Sequence, residues 1–272
     1  GKSGFAHFFE HMMFEGSDHV ADKEHFKVVT ESGGTLNGST NRDRTNYFET
    51  VPSNQLEKML WLESDSMGFL LDAVTQQKFE IQRATVNHER GQNYDNRPYG
   101  LAGEVTSKAL YPFGHPYSWL TIGYVKDLNS VGVDDLKHFF LRWYGPNNAT
   151  LTIAGDVNTK DVIKMVEKYF GSIPPGPEVK PVQLPPVKFT KTEYISYTDN
   201  YAKLPMLQIT YPTVPDFSAD MAPLACLAQV LGQGKTSFLY QHLIKTQKAL
   251  RAISYSDLDE LAGTFVFSVT AL

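Results

Sequence analysis

The chain has 272 residues, which suits one large or two ordinary globular domains, and 42% of them are hydrophobic, enough for sizeable cores. A formal charge of −5 without any long basic run argues against a nucleic-acid or anionic-membrane surface. Cys226 is the only cysteine, which excludes an intrachain disulfide and a cysteine-rich zinc site. No apolar run reaches the roughly 20 residues of a membrane-spanning helix.

The first predicted element is a short helix with the sequence HFFEH at residues 7–11. His7 and His11 are four residues apart, so they share one face and can bind the same tetrahedral metal ion. Glu10 lies beside that face, where a carboxylate can act as general base on metal-activated water. The order H-x-x-E-H inverts the commoner zincin signature H-E-x-x-H. This pattern predicts a zinc site for hydrolysis.

A solvated helix face with two histidines and a glutamate would give the same pattern. The flanking phenylalanines and methionines, however, make this helix apolar on nearly every side and favour its burial. Buried imidazoles and a buried carboxylate need a partner, and a metal ion provides one. A buried helix at residue 5 also needs strands to pack against, so we expect the first domain to lack its first strands here.

A second helix is predicted over residues 21–32, and strands over 35–40 and 45–51 form a hairpin pattern around the turn residues 41–44. An amphipathic helix follows over residues 56–70. The next helix, residues 74–94, contains the candidates for a third metal ligand. Glu89 shares a face with Gln82 and Val86, whereas Glu80 points the opposite way. His88 remains an alternative ligand to Glu89.

Further helices are predicted over residues 133–144 and 159–170, with a β-strand over 149–154 between them. Six prolines fall within residues 174–187, which indicates a linker between a first domain of residues 1–173 and a second unit of residues 188–272. In the second unit we predict helices over 218–231 and 236–247, and strands near residues 206–211, 253 and 264–270. The shared succession of two helices and two strands suggests an internal repeat.

Several longer motifs resemble those of the pitrilysin/insulinase family of zinc metallopeptidases, and most closely its bacterial zinc-protease branch. They are VNHER at 86–90, GGTLNG at 33–38, TNYFET at 45–50, DNRPYG at 95–100, GHPY at 114–117, PNNATL at 146–151, AGD at 154–156, GKTSFLY at 234–240 and LAG at 261–263.

This resemblance implies an α+β fold in which a unit of antiparallel β-sheet covered by helices is repeated, the second copy being incomplete and without metal. It implies that His7, His11 and Glu89 bind one Zn²⁺ per chain and that Glu10 is the general base. Asn37 and Gly38 would lie on the strand that binds the substrate, a peptide or unfolded polypeptide. Gln82, which replaces a glutamate of some members, is expected behind the metal ligands or facing the cleft.

The expected function is therefore that of a zinc endopeptidase. By the resemblance, a later half of the same chain or a partner subunit closes the cleft, so we expect the 272 residues alone to hydrolyse peptides poorly. The alternative is a non-catalytic partner or assembly subunit, because the same family contains members that lost their metal ligands.

Overall fold

The structure, a computed structural model, describes residues 1–272 and combines nine α-helices with two small antiparallel sheets. The helices are α1 (Phe5–Met12), α2 (Glu24–Glu31), α3 (Leu56–Ala73), α4 (Gln76–Arg90), α5 (Ala102–Leu110), α6 (Val125–Ser130), α7 (Val133–Trp143), α8 (Thr159–Phe170) and α9 (Met221–Gly232). The strands are β1 (Thr35–Thr40), β2 (Thr45–Thr50), β3 (Met206–Thr213), β4 (Ala249–Leu258) and β5 (Gly263–Ala271). The predicted α+β class is confirmed.

The chain forms two compact units, each made of two segments. The first unit contains Gly1–Arg90 and Leu120–Pro181, and the second contains Gly91–Trp119 and Val182–Leu272. The later boundary falls inside the proline-rich stretch. Residues 91–119 pack within the second unit, although they precede the proline-rich stretch by more than fifty positions. Their place in this unit depends on tertiary contacts between segments that are distant in sequence.

The core of the first unit forms around α1. Four of its apolar side chains are buried: Phe5, Phe8, Phe9 and Met12. The Phe8 ring meets the Phe79 ring of α4 edge-on, with 5.0 Å between the ring centroids. Elsewhere on the helix, Phe9 stacks against Phe140 of α7. The packing holds α1 against α4 and α7.

The hairpin in the first unit confirms the prediction for residues 35–51. Strands β1 and β2 pair antiparallel from Thr35 opposite Thr50 to Thr40 opposite Thr45. The turn closes because the side-chain oxygen of Asn41 accepts hydrogen bonds from the backbone N–H groups of Asp43 and Arg44. β2 is the only strand that pairs with β1, which leaves the other edge of β1 open.

One predicted element of the chain was wrong, and another is shorter than predicted. Residues 149–154 form no strand, because neither sheet offers them a partner and an apolar run alone cannot complete a hydrogen-bonded ladder. The helix predicted over residues 236–247 is present but shorter, because only residues 238–244 are helical and the last five of them, Tyr240–Ile244, form a π-helical turn.

The second unit contains a three-stranded antiparallel sheet in the order β3-β5-β4, with α9 packed against β4. Like the first unit, it contains an antiparallel pair of consecutive strands, β4 and β5, preceded by helical segments. None of the helices in the chain combines the length and the apolar character needed to cross a membrane.

The edge-on contact of Phe8 with Phe79 gives a stability prediction. Phe8→Ala should lower the free energy of unfolding by about 3–5 kcal/mol, since the side chain is fully buried and its loss leaves a cavity. Urea denaturation measures this change. The matched control is Phe113→Ala at a fully exposed ring, which should change the stability by less than about 0.5 kcal/mol. Similar losses in both variants would contradict this account of the core.

Candidate metal centre

Two histidines of α1 and one glutamate of α4 converge in the first unit. The Nε2 atoms of His7 and His11 lie 3.7 Å and 3.5 Å from the Oε2 atom of Glu89. One ligand atom from each of the three residues lies within 4.8 Å of the others. The two imidazole rings are nearly perpendicular, with 4.9 Å between their centroids.

The packing of α1 on α4 explains this convergence. Phe79 and Val86 of α4 are fully buried and lie seven residues apart, so they mark the inward face of that helix. Glu89 follows Val86 by three residues on the same face. Its neighbour His88 is exposed and does not belong to the group around His7 and His11. Of the two alternatives for the third position, the structure brings Glu89 to the histidines.

These three side chains fit a zinc ion. Donor atoms bound at about 2.1 Å around one tetrahedral ion are about 3.4 Å apart, close to the separations between Glu89 and the two imidazoles. Burial, followed by the charge of His11, lowers the pKa of His7 to about 4, so its ring is neutral and able to bind a metal at neutral pH. The Nδ1 atom of His7 is buried without a hydrogen-bond partner.

Glu10 is buried beside this group and rests on strand β1. Its Oε2 atom accepts a hydrogen bond of 2.5 Å from the hydroxyl of Thr40. A Cβ atom on Gly38 would lie only 2.7 Å from Oε1 of the same carboxylate. Gly38 and Thr40 lie two residues apart on one strand and therefore face the same side. β1 thus holds the carboxylate by one hydrogen bond and makes room for it by one missing side chain.

Two half-buried tyrosines lie close enough to Glu10 for its charge to affect their pKa values. The hydroxyls of Tyr47 and Tyr144 are 2.9 Å apart. Burial raises the pKa of Tyr47 well above its usual range and that of Tyr144 to about 12, and the charge of Glu10 contributes to both increases. Both hydroxyls therefore remain protonated at neutral pH and add no negative charge near the carboxylate.

The remaining residues predicted for the site lie around this centre. Asn37 is exposed on β1, and its side-chain oxygen accepts a hydrogen bond of 2.9 Å from the N–H of Gly38. Gln82 of α4 donates a hydrogen bond of 2.7 Å to Glu15, just beyond the end of α1. The sequence predicted no role for Thr40. Thr40 lies two residues after Gly38 on the same predicted strand, and this spacing indicates that both face the same side of β1.

The close approach of Glu10 to Gly38 gives a second prediction. Gly38→Ala should cost about 1–3 kcal/mol of folding free energy, because the added methyl group would force a buried carboxylate to move. Chemical denaturation measures the cost. Gly91→Ala is the matched control, since the nearest atom to a Cβ there is 3.7 Å away. Equal stability of the two variants would show that Glu10 does not need the space above Gly38.

Comparison with known proteins gives two family matches that together cover most of the chain. A model described as insulinase (peptidase family M16) matches residues 1–111. A second, described as peptidase M16 inactive domain, matches residues 130–272. The candidate centre lies within the range of the first.

Curated relatives include several that are named as zinc proteases. The chain is 32% identical to zinc protease PqqE of Helicobacter pylori over 273 residues, which covers 98% of this chain and 60% of that protein. It is 25% identical to a probable mitochondrial-processing peptidase subunit beta of Arabidopsis thaliana, covering 85% of this chain and 43% of that protein. The chain thus spans less than two thirds of the length of either relative.

Solved structures agree with these matches. A protease from Helicobacter pylori superposes with a TM-score of 0.90 at 29% identity, covering 100% of this chain and 66% of that one. Pitrilysin superposes with a TM-score of 0.73 at 20% identity, covering 99% of this chain and 29% of that one, a likeness that concerns the fold alone.

Proposed function

Because the chain belongs to peptidase family M16, the insulinase family, we propose that it is a zinc-dependent endopeptidase. Relatives named as zinc proteases indicate that zinc is used in this family. One observation carries the proposal for this chain, namely the convergence of His7, His11 and Glu89 within 4.8 Å. A buried carboxylate on the same helix, Glu10, supplies the base that hydrolysis needs.

In this proposal His7, His11 and Glu89 hold one zinc ion per chain. Two imidazoles and one carboxylate form a donor set that catalytic zinc sites use, and the set leaves a fourth position open. When bound, zinc polarises a peptide carbonyl as a Lewis acid and lowers the pKa of a coordinated water to about 7. The low pKa of His7 supports this role, because a neutral ring has its lone pair available.

Glu10 accepts the proton of the attacking water. Since Thr40 donates to Oε2, the Oε1 atom is the oxygen that remains for the proton. Oε1 lies over Gly38, where no side chain blocks the approach of water or substrate. The same oxygen can return the proton to the leaving amine, which completes the addition of water across the peptide bond.

The open edge of β1 is the proposed substrate site. A peptide in extended conformation can add there as a further strand, with its backbone groups paired to those of β1. The N–H of Gly38 donates to the side chain of Asn37, and a substrate carbonyl would take the place of that side-chain oxygen. Recognition through backbone groups would make the sequence preference broad, which suits peptides and unfolded polypeptides as substrates.

A second candidate function is that of a non-catalytic partner or assembly subunit. The match of residues 130–272 to a domain described as inactive favours it, as does a relative that is named as a subunit. Under either function we propose that residues outside this 272-residue span, in the same chain or in a partner subunit, close the cleft. The zinc bound at this centre, counted as the ion that His7→Ala removes, separates the two functions, since a binding subunit need not retain the metal.

The role of Glu10 gives a third prediction. In an otherwise complete enzyme, with the residues that close the cleft present, Glu10→Gln should retain zinc but lower kcat about 10²–10⁴-fold, because the amide preserves the shape of the side chain and removes the proton acceptor. Zinc content by elemental analysis and turnover of an unstructured peptide measure the two effects. In the comparison variant His7→Ala, the zinc ion of this centre and the activity should be lost together. A near-normal kcat in Glu10→Gln would reject Glu10 as the base.

Strand addition gives a fourth prediction, which is tested on the substrate. A set of peptides, each N-methylated at one backbone amide near the cleaved bond, should show KM raised about 5-fold at alternate positions. Each pairing amide contributes about 1 kcal/mol, and every second amide of a strand points towards its neighbour. Substituting side chains at the same positions serves as the control. A uniform response to N-methylation along the peptide would argue against strand addition.

A further inference from the structure

A second group of metal-binding side chains lies in the first unit, apart from the residues discussed so far. It consists of His25 of α2, Glu49 of β2 and Glu63 of α3, each with a ligand atom within 4.8 Å of the others. His25 is only 3% exposed, and its Nε2 atom lies 3.3 Å from Oε1 of Glu63. Three separate elements therefore direct one imidazole and two carboxyl groups to a common point.

The two carboxyl groups lack a compensating cation. No Lys or Arg pairs with Glu49 or Glu63, and the one basic side chain beside them is the His25 imidazole. The Oε1 atom of Glu49 is buried and has no hydrogen-bond partner. Two adjacent carboxylates cannot both be charged in such a place unless a proton or a cation lies between them. In agreement, burial and then the charge of Glu63 raise the pKa of Glu49 to about 8.

We propose that His25, Glu49 and Glu63 form a second site for a divalent cation. One imidazole and two carboxylates are a mixed nitrogen and oxygen donor set, which suits Zn²⁺ or Mn²⁺. Two negative charges would balance the charge of the ion, and the unpartnered oxygen of Glu49 would become a ligand. The separation of 3.3 Å between the His25 and Glu63 donors is close to the 3.4 Å or so expected around one small ion.

The position of this site indicates a structural role. An ion there would crosslink α2, β2 and α3, which no disulfide joins. Glu49 follows Tyr47 by two residues, so both side chains face the same side of β2. Tyr47 lies directly opposite Gly38 in the ladder, and Gly38 makes room for Glu10. Fixing β2 through Glu49 would therefore also fix the strand on which Glu10 rests.

The test is a count of metal ions in the purified 272-residue protein, loaded with Zn²⁺ alone or Mn²⁺ alone after chelator treatment. Elemental analysis and calorimetric titration should find two ions per chain with at least one of these metals. Glu49→Gln and Glu63→Gln should each remove one ion and abolish the part of the metal-induced rise in Tm that depends on it. Glu31→Gln, at an exposed acid of α2, is the matched control and should keep both ions.

The outcome does not depend on the proposed peptidase function. His7→Ala should remove a different ion from the one removed by Glu49→Gln, so a failure at the first centre leaves the count at the second readable. Glu49→Gln preserves side-chain size and removes a buried acid, so the variant should fold, which circular dichroism can verify. A folded Glu49→Gln variant with unchanged metal content and unchanged metal-induced Tm would overturn the proposal and indicate a carboxyl pair that shares a proton.

Discussion

The candidate centre depends on the apolar contact between α1 and α4. Phe8 lies between the two histidines in sequence, and Phe79 lies ten residues before Glu89, so the edge-on packing of their rings sets the two helices side by side. Packed helices run 8–10 Å apart, a distance that side chains from both can bridge. The packing of the rings thereby brings together the polar residues next to them.

Burial of polar groups on α1 has an energetic cost that this packing offsets. The Nδ1 atom of His7 has no hydrogen-bond partner, and an unsatisfied buried polar atom costs about 1–3 kcal/mol. Ordinary cores avoid such atoms, whereas functional sites retain them because the strained arrangement prepares the site for a ligand. The aromatic contacts of Phe5, Phe8 and Phe9 supply the apolar burial that makes this arrangement tolerable.

The two units use similar elements for different purposes. In the first unit α1 carries His7, Glu10 and His11, and strand β1 holds the carboxylate of Glu10. The second unit also places α9 against a pair of antiparallel strands, but α9 contains no His, Asp or Glu. A helix of that composition contributes apolar surface and no metal ligand, which agrees with the description of the matching domain as inactive.

The sequence by itself determined the local geometry within single elements. The spacing of His7 and His11 follows from the helix period, and the hairpin follows from the turn residues between two β-prone runs, so both were predicted with correct positions. Neither feature involves more than a few neighbouring residues. The choice between His88 and Glu89, in contrast, needed the rotation of α4 against α1, which the packing of Phe8 on Phe79 decides.

Only the tertiary structure brought distant segments together. Thr40 and Gly38 hold Glu10 from thirty residues away, and the group of His25, Glu49 and Glu63 comes from three elements with no shared period. The predicted strand at 149–154 was wrong for the same reason, since a strand exists only where another strand pairs with it. Backbone periodicity acts within an element, whereas contacts between elements arise from the burial of apolar surface in the whole fold.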